Sequence, residues 1–277
     1  MWVAIAYWWI SVPIQHVMVC DVRILFIGDI VAKQGVHAVQ RYLANYRDDY
    51  DFVVANGENC AGGRGITRKY FQRLRDVGVD VVTLGNHTWD NADVTAILSE
   101  TTHLLRPLNY PRATPGLGYA SFDVAGERVT VISVIGRIFM EPYDSPFAVI
   151  DDLLETLPRS DTIIVDFHAE ATSEKKIMGY HLRGRVAAVI GTHTHVQTAD
   201  EFIAQGTAYL TDAGMTGVQD SAIGMRYEEV HYRFTKQLPK RFSPAEGVAT
   251  LCGVVLELSQ GRAQSIERLQ WVVPEDL

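Results

Sequence analysis

Apolar positions in this chain fall in short β-rich runs that alternate with stretches of helical spacing, the pattern of an α/β protein. Val22–Ile27 is the first such run, and it stops at Gly28-Asp29. A helix is predicted over His37–Tyr46, then a strand over Phe52–Ala55 that stops at Asn56-Gly57-Glu58-Asn59. Thr67 can cap a helix running to about Asp76, because its hydroxyl can accept a free N–H of the first turn. A third strand, Val79–Leu84, stops at Gly85-Asn86-His87, and Asn91–Leu98 returns as a helix.

The middle of the chain carries stronger β signals. Gly118–Val124 and Arg128–Ile135 flank Ala125-Gly126-Glu127 and read as a hairpin. A helix over Phe147–Leu157 precedes a strand over Thr162–Phe167 that stops at His168. Ala187–Ile190 then stops at Gly191-Thr192-His193-Thr194-His195. The remainder, including Thr207–Thr211 and Val248–Leu258, reads as further strands, with Asp220–Pro244 a polar insertion or flap. Without repeats, low-complexity segments or a linker, residues 22–277 read as a single domain.

Residues 1–21 break this pattern. Trp2, Trp8 and Trp9 lie among apolar residues without a basic start, and Pro13 and His16 interrupt the run. A secretory signal opens on positive charge, and a bilayer span needs about 20 unbroken apolar residues. Residues 1–21 are therefore read as an extension outside the fold, with Met18 as an alternative start, and no membrane association is expected.

Charge and cysteine usage narrow the function. Of 277 residues, 25 are Lys or Arg and 33 are Asp or Glu, for a net charge of −8. That balance disfavours a protein that coats long nucleic acid through its overall field. A small anionic substrate remains compatible, since bound cations can dominate a pocket. Cys20, Cys60 and Cys252 form no disulfide or metal spacing and read as reduced thiols of a cytoplasmic protein.

The candidate chemistry lies at the strand ends. Asp29, Glu58, Asn59, Asn86, His87, His168, His193 and His195 all fall at or just beyond a predicted strand end, the edge where open α/β sheets bind ligands. Singly, each has an ordinary reading: Gly-Asp as a turn, Asn86-His87 as a helix cap, His168 as a core histidine. His193-x-His195 is harder to dismiss, since alternate residues of an extended segment share a face. Together they offer more O and N donors than one ion needs. Imidazoles mixed with carboxylate and amide oxygens suit Fe, Mn or Zn better than Ca or Mg. Two such ions, roughly 3.5–4 Å apart, clamp phosphoryl groups in many hydrolases. Gly62-Gly63-Arg64-Gly65 lacks the Lys-Ser/Thr of a phosphate-binding loop and reads as a flexible rim, with Arg64 a candidate substrate contact.

In this order, Gly28-Asp29, Gly57-Glu58-Asn59, Gly85-Asn86-His87, His168 and Gly191-Thr192-His193-Thr194-His195 resemble the calcineurin-like metallophosphoesterases, and their YmdB-like branch in particular. Ala61–Thr67 and Thr211–Gly217 support the resemblance, which covers the chain from about Arg23. The wider superfamily has Asp-x-His at the first strand, where this chain has Asp29-Ile30-Val31, a departure shared by that branch. The resemblance implies an α/β sandwich with two central mixed sheets flanked by helices. It implies two metal ions, Fe or Mn foremost and Zn or Mg as alternatives. Asp29, Asn59 and His195 would hold one ion, Asn86, His168 and His193 the other, and Glu58 would bridge them. A bridging hydroxide would attack phosphorus, with His87 as general acid. The implied activity is hydrolysis of phosphodiester bonds, 2′,3′-cyclic nucleotides foremost, with RNA ends as further substrates and homo-oligomers as an expected assembly. The alternatives are a phosphomonoesterase or nucleotidase on the same site, or a metal- and nucleotide-binding regulator with little turnover.

Overall fold

The computed structural model describes residues 21–274, so residues 1–20 of the proposed extension lie outside the described residues. The chain begins with β1 (Val22–Ile27), β2 (Asp29–Ile30), α1 (Ala32–Tyr46), β3 (Phe52–Asn56), α2 (Arg68–Asp76), β4 (Val81–Thr83), α3 (Asp93–Glu100) and β5 (Leu104–Leu105). A hairpin of β6 (Tyr119–Val124) and β7 (Glu127–Ile135) leads to α4 (Pro146–Leu154), β8 (Thr162–His168), α5 (Thr172–His181) and β9 (Ala188–Thr192). There follow β10 (Phe202–Ala204), β11 (Thr207–Leu210), β12 (Met215–Val218), α6 (Tyr227–Lys236), β13 (Ala249–Ser259) and β14 (Arg262–Val272).

These strands form two mixed sheets. One runs β2-β12-β13-β1-β3-β4-β5, with β14 also paired to β13, and the other runs β10-β11-β9-β8-β7-β6. Alternation along β1 shows how the layers stack: Ile24 and Phe26 join a core shared with Val129, Val131 and Ile164 of the second sheet. Leu25 and Ile27 face the opposite way, into a core with Val36, Val39 and Leu43 of α1 and Leu74 of α2. The far face of the second sheet packs Val165 and Phe167 against Ile150 of α4 and Met178 of α5. Two sheets therefore lie face to face, with helices outside each, the expected α/β sandwich.

Local chemistry explains several element ends. Thr67 caps α2 by accepting the Tyr70 N–H at 3.3 Å, and Ser145 caps α4, with Pro146 at its first turn. The β6–β7 turn is shorter than predicted, because Ala125 and Gly126 both take positive φ (49° and 87°) and leave Glu127 in the strand. Helix α1 starts at Ala32, five residues before the predicted His37. Its early turn contains Gly35, where an added Cβ would lie 2.2 Å from the Thr216 carbonyl oxygen, so the glycine serves close packing and does not break the helix. The 220–244 stretch holds α6, a helix with no buried residue. No helix among the described residues is long and apolar enough to cross a membrane.

Candidate metal centre

The strand ends converge at one rim of the sandwich, and donor type sorts by sheet. Oxygen donors come from the first sheet: Asp29 after β1, Glu58 and Asn59 after β3, Asn86 after β4. Nitrogen donors come from the second: His168 ends β8, and His193 and His195 follow β9. Glu58, His168 and His193 each offer a ligand atom within 4.8 Å of the other two.

Around His168 the hydrogen bonds do not close. Thr192 donates its hydroxyl to Asp166 Oδ1 at 2.7 Å, so its oxygen can only accept from His168 Nδ1 at 2.9 Å. The proton then sits on Nδ1 and leaves a lone pair on Nε2. That lone pair faces Asn86 Oδ1 at 2.9 Å, Glu58 Oε1 at 3.0 Å and His193 Nδ1 at 3.0 Å. His193 Nε2 meets Glu170 Oε2 at 3.1 Å, which places the His193 proton there and bares Nδ1. Four acceptors thus point at one spot that asks for positive charge. A proton can supply that charge in place of a cation: burial acts to lower the His168 pKa, yet the facing carboxylates, Glu58 foremost, raise it to about 9. Burial acts to raise Glu58, and His168 brings it down to about 2. His193, by burial and then by the charge of His168, falls to about 3.

A second group lies around Asp29. Its Oδ2 accepts the His193 backbone N–H at 3.0 Å, but its buried Oδ1 has no hydrogen-bond partner among the described residues. Asn59 Oδ1 is likewise buried and unpartnered, while its amide donates to the Gly63 carbonyl at 3.0 Å. His195 donates from Nδ1 to the Ile223 carbonyl at 3.0 Å, which leaves Nε2 bare, 4.0 Å from Asp29 Oδ1. Burial, partly offset by His195 and His168, lifts the Asp29 pKa to about 6. Orphaned buried acceptors cost about 1–3 kcal/mol each. A cation removes that cost, so the donor set fits metal at both groups.

The backbone is shaped for this crowding. A Cβ on Gly85 would lie 2.3 Å from His168 Nε2 and 2.4 Å from Glu58 Oε2, so only glycine fits there. His193 and His195 both take positive φ (98° and 66°), a cost of about 1–3 kcal/mol each that recurs at functional sites. Buried Lys175 holds their loop: its ammonium donates to the Thr192 carbonyl and to Asp212 Oδ2, both at 2.6 Å. Asp212 Oδ2 also accepts the Thr194 N–H at 3.1 Å and hydroxyl at 2.8 Å.

His87 stands beside the cluster. Its backbone N–H donates to Glu58 Oε2 at 3.0 Å, while its ring Nδ1 meets Asp90 Oδ2 at 2.9 Å. Arg64 is exposed on the glycine loop. That loop is braced, contrary to the flexible rim expected: Ala61 N–H bonds Gly65 O at 2.9 Å, and Gly63 N–H bonds Asn59 O at 3.1 Å. Sequence reasoning gave no part to Glu170, Asp90, Asp166 or Lys175, and quoted Thr192 and Asp212 only inside motifs, with no role of their own. Asp90 and Glu170 lie three and two residues beyond named histidines, a signal that could have found them. Asp166, inside an apolar strand, carries a polarity whose purpose shows only once Asn56, Thr83 and Thr192 are seen bonded to it.

The model of the YmdB-like protein family matches residues 25–269. The chain belongs to that family. Among its relatives, a Bacillus subtilis protein named 2′,3′-cyclic-nucleotide 2′-phosphodiesterase is 45% identical over 253 residues, 89% of this chain and 96% of the relative. A solved structure of a hypothetical protein from Thermus thermophilus superposes with TM-score 0.88 at 46% identity, covering 91% of this chain and 100% of that one. A Mycoplasma pneumoniae structure described as a novel phosphatase gives TM-score 0.87 at 31% identity, covering 92% and 95%. Membership in the YmdB-like family thus accords with the resemblance that the strand-end motifs carried.

Proposed function

We propose that this chain is a metal-dependent phosphodiesterase that opens 2′,3′-cyclic nucleotides, with two ions at the sandwich rim. The observation that carries the reading is the convergence of oxygen and nitrogen donors from separate strand ends of both sheets on one spot, with Asp29 Oδ1 and Asn59 Oδ1 buried and unpartnered beside it. Asp29, Asn59 and His195 would hold one ion, Asn86, His168 and His193 the other, with Glu58 shared. Bound there, Fe, Mn or Zn would offset the charge of the phosphoryl oxygens and lower the pKa of water. The shared identity with the Bacillus subtilis phosphodiesterase across nearly the whole chain supports the cyclic substrate.

The protein's own groups divide the remaining work. Glu170 and the Ile223 carbonyl set the tautomers of His193 and His195, and Thr192 that of His168. Asp90 orients His87 with Nδ1 toward itself, which frees Nε2 to give a proton to the departing ribose oxygen. Arg64, on the braced loop, is a candidate contact for substrate phosphate. The core common to the two sheets supports 22–277 as one domain, and buried Cys60 and Cys252, both unpaired among the described residues, support a cytoplasmic setting. RNA ends with a terminal cyclic phosphate and a homo-oligomeric assembly complete the proposal.

The test compares His87→Ala with wild type on two substrate classes. Loss of the acid should lower kcat by about 10²–10⁴-fold on a cyclic nucleotide, whose alkoxide needs the proton. On bis-p-nitrophenyl phosphate, whose phenolate leaves readily, the loss should be far smaller, with metal content unchanged. Equal slowing on both substrates, or loss of metal, would remove His87 from that role. Wild-type protein, metal-loaded, that opens no cyclic nucleotide would overturn the reading as a whole.

A further inference from the structure

The loop after β7 lies on the same rim as the metal-competent cluster. Ile135, the last residue of β7, pairs with His168 in the sheet, and the Gly136 N–H donates to the His168 carbonyl at 2.9 Å. Both ends of the loop are fastened to one buried side chain. Asn109 donates its amide to the Ile135 carbonyl at 2.8 Å and the Asp144 carbonyl at 3.0 Å, and accepts the Ile135 N–H at 3.0 Å. A closed loop of this size, with its ends clamped, is a frequent carrier of function.

At its crown the loop adopts an unusual conformation. Met140 N–H bonds the Arg137 carbonyl at 3.2 Å, making a four-residue turn whose third position is Phe139. Phe139 has φ +62°, where such turns normally place Gly or Asn. A bulky residue there is a true outlier. Its side chain is also 88% exposed, so no packing offsets either the strain or the hydration of the ring. The turn is nonetheless rigidly held. Glu174, 6% exposed, accepts the Arg137 N–H with both oxygens at 3.1 Å and the Ile138 N–H at 3.2 Å. A buried carboxylate is thus committed to presenting an exposed aromatic.

The far side of the loop is aromatic too. Tyr143 packs on Tyr110 (ring centroids 5.1 Å), and Tyr110 on Trp89 (5.7 Å), two residues beyond His87. The loop therefore runs from His168 to the neighbourhood of His87. Phe139 lies three residues from Gly136, a reach of at most about 11 Å along the chain.

We infer that Phe139 is a specificity residue: its ring, fixed at the crown of the loop, stacks on the nucleobase of a nucleotide whose phosphate sits in the metal centre. This rests on the nucleotide reading above and adds to it a base subsite. Aromatic stacking tolerates any base, so the subsite selects nucleotides over base-free phosphodiesters without choosing among bases.

The experiment uses metal-loaded full-length protein and two substrates, adenosine 2′,3′-cyclic phosphate and 1-O-methylribose 2′,3′-cyclic phosphate, which lacks a base. Phe139→Ala should lower kcat/KM on the adenosine compound by about 5- to 150-fold, mainly through KM, and leave the base-free one unchanged. Phe139→Trp should restore the preference. Phe139→Gly should raise Tm, by relieving the turn, while losing the preference. Binding of adenosine 3′-monophosphate, measured by calorimetry for each variant, carries the test even if turnover of the cyclic substrate is absent. Failure of the cyclic-nucleotide reading and failure of stacking are therefore separate results. Equal loss on both substrates, no loss on either with nucleotide affinity intact, or a change in sedimentation that marks Phe139 as a contact between copies would each overturn the inference.

Discussion

The His168 and His195 sides of the cluster are built differently. His168 ends a strand and is wholly buried, and its ring is fixed through Thr192 to Asp166, which also accepts from Asn56 and Thr83. His195 sits beyond its strand at positive φ, with its ring held by one loop carbonyl, that of Ile223. On the first side the acceptors lie about hydrogen-bond distance apart, whereas on the second Asp29 Oδ1 and Asn59 Oδ1 stand unpartnered and His195 Nε2 is 4.0 Å from Asp29. One half is prepared by the sheet, the other by loops. The difference predicts that the two proposed ions differ in how tightly they are held, the loop-built one being the first to leave.

Removing Glu58, the residue proposed to serve both halves, should have the largest effect. Glu58→Ala takes away the carboxylate facing His168 and the acceptor of the His87 N–H, so both ions should be lost and activity with them. Elemental analysis that finds one ion retained would show that Glu58 serves a single half. A smaller, one-sided effect is expected from Asp166→Asn, which disturbs the support of His168 without touching a ligand atom. Metal affinity on that side should fall about 10- to 100-fold, with the His195 side unaltered. Titration with a chromophoric chelator resolves the two affinities, and a parallel fall in both would erase the distinction.

The smallest effect concerns the ground under the His193–His195 loop. Asp200 accepts the Thr211 N–H at 3.2 Å and hydroxyl at 2.6 Å, accepts the Thr198 hydroxyl at 2.7 Å, and pairs with Lys176. Burial acts to raise its pKa, but Lys176 and the threonine hydroxyls outweigh it and bring the carboxyl to about 2. Its folded pKa lies below the ordinary 3.8, so its stabilisation is full above that value and is lost as pH falls toward 2. The difference in denaturation midpoint between wild type and Asp200→Asn should therefore be widest near neutrality and close by pH 2. A constant difference across that range would assign the loss to packing.

Much of this was legible before the structure. β1 runs from Val22 to Ile27 as its apolar run predicts, and α2 opens at the Thr67 cap, because both signals are local. The placement of Asp29, Glu58, Asn86, His168 and His193 at strand ends was legible for the same reason: each comes after a run that ends abruptly in a polar residue. Early α1 was not, since Gly35 looks like a helix breaker until the Thr216 carbonyl beside it is known. Lys175 and Asp212 lie 37 positions apart, and only the fold brings an ammonium and a carboxylate to 2.6 Å in the interior. Phe139 could not be read as strained from its identity, because strain is a property of the turn it occupies.

The division of donors between the sheets has a mechanical consequence. An ion held by oxygens from one sheet and nitrogens from the other, as proposed, would act as a rivet through the rim of the sandwich. It would tie together two layers that otherwise meet through their shared apolar core. Loading at about 100 times the dissociation constant would add about 2.7 kcal/mol per site to the folded state by mass action. Hydrogen exchange at the ends of β1, β3, β8 and β9 would then slow together on metal addition, as the two layers lose the freedom to part at that edge.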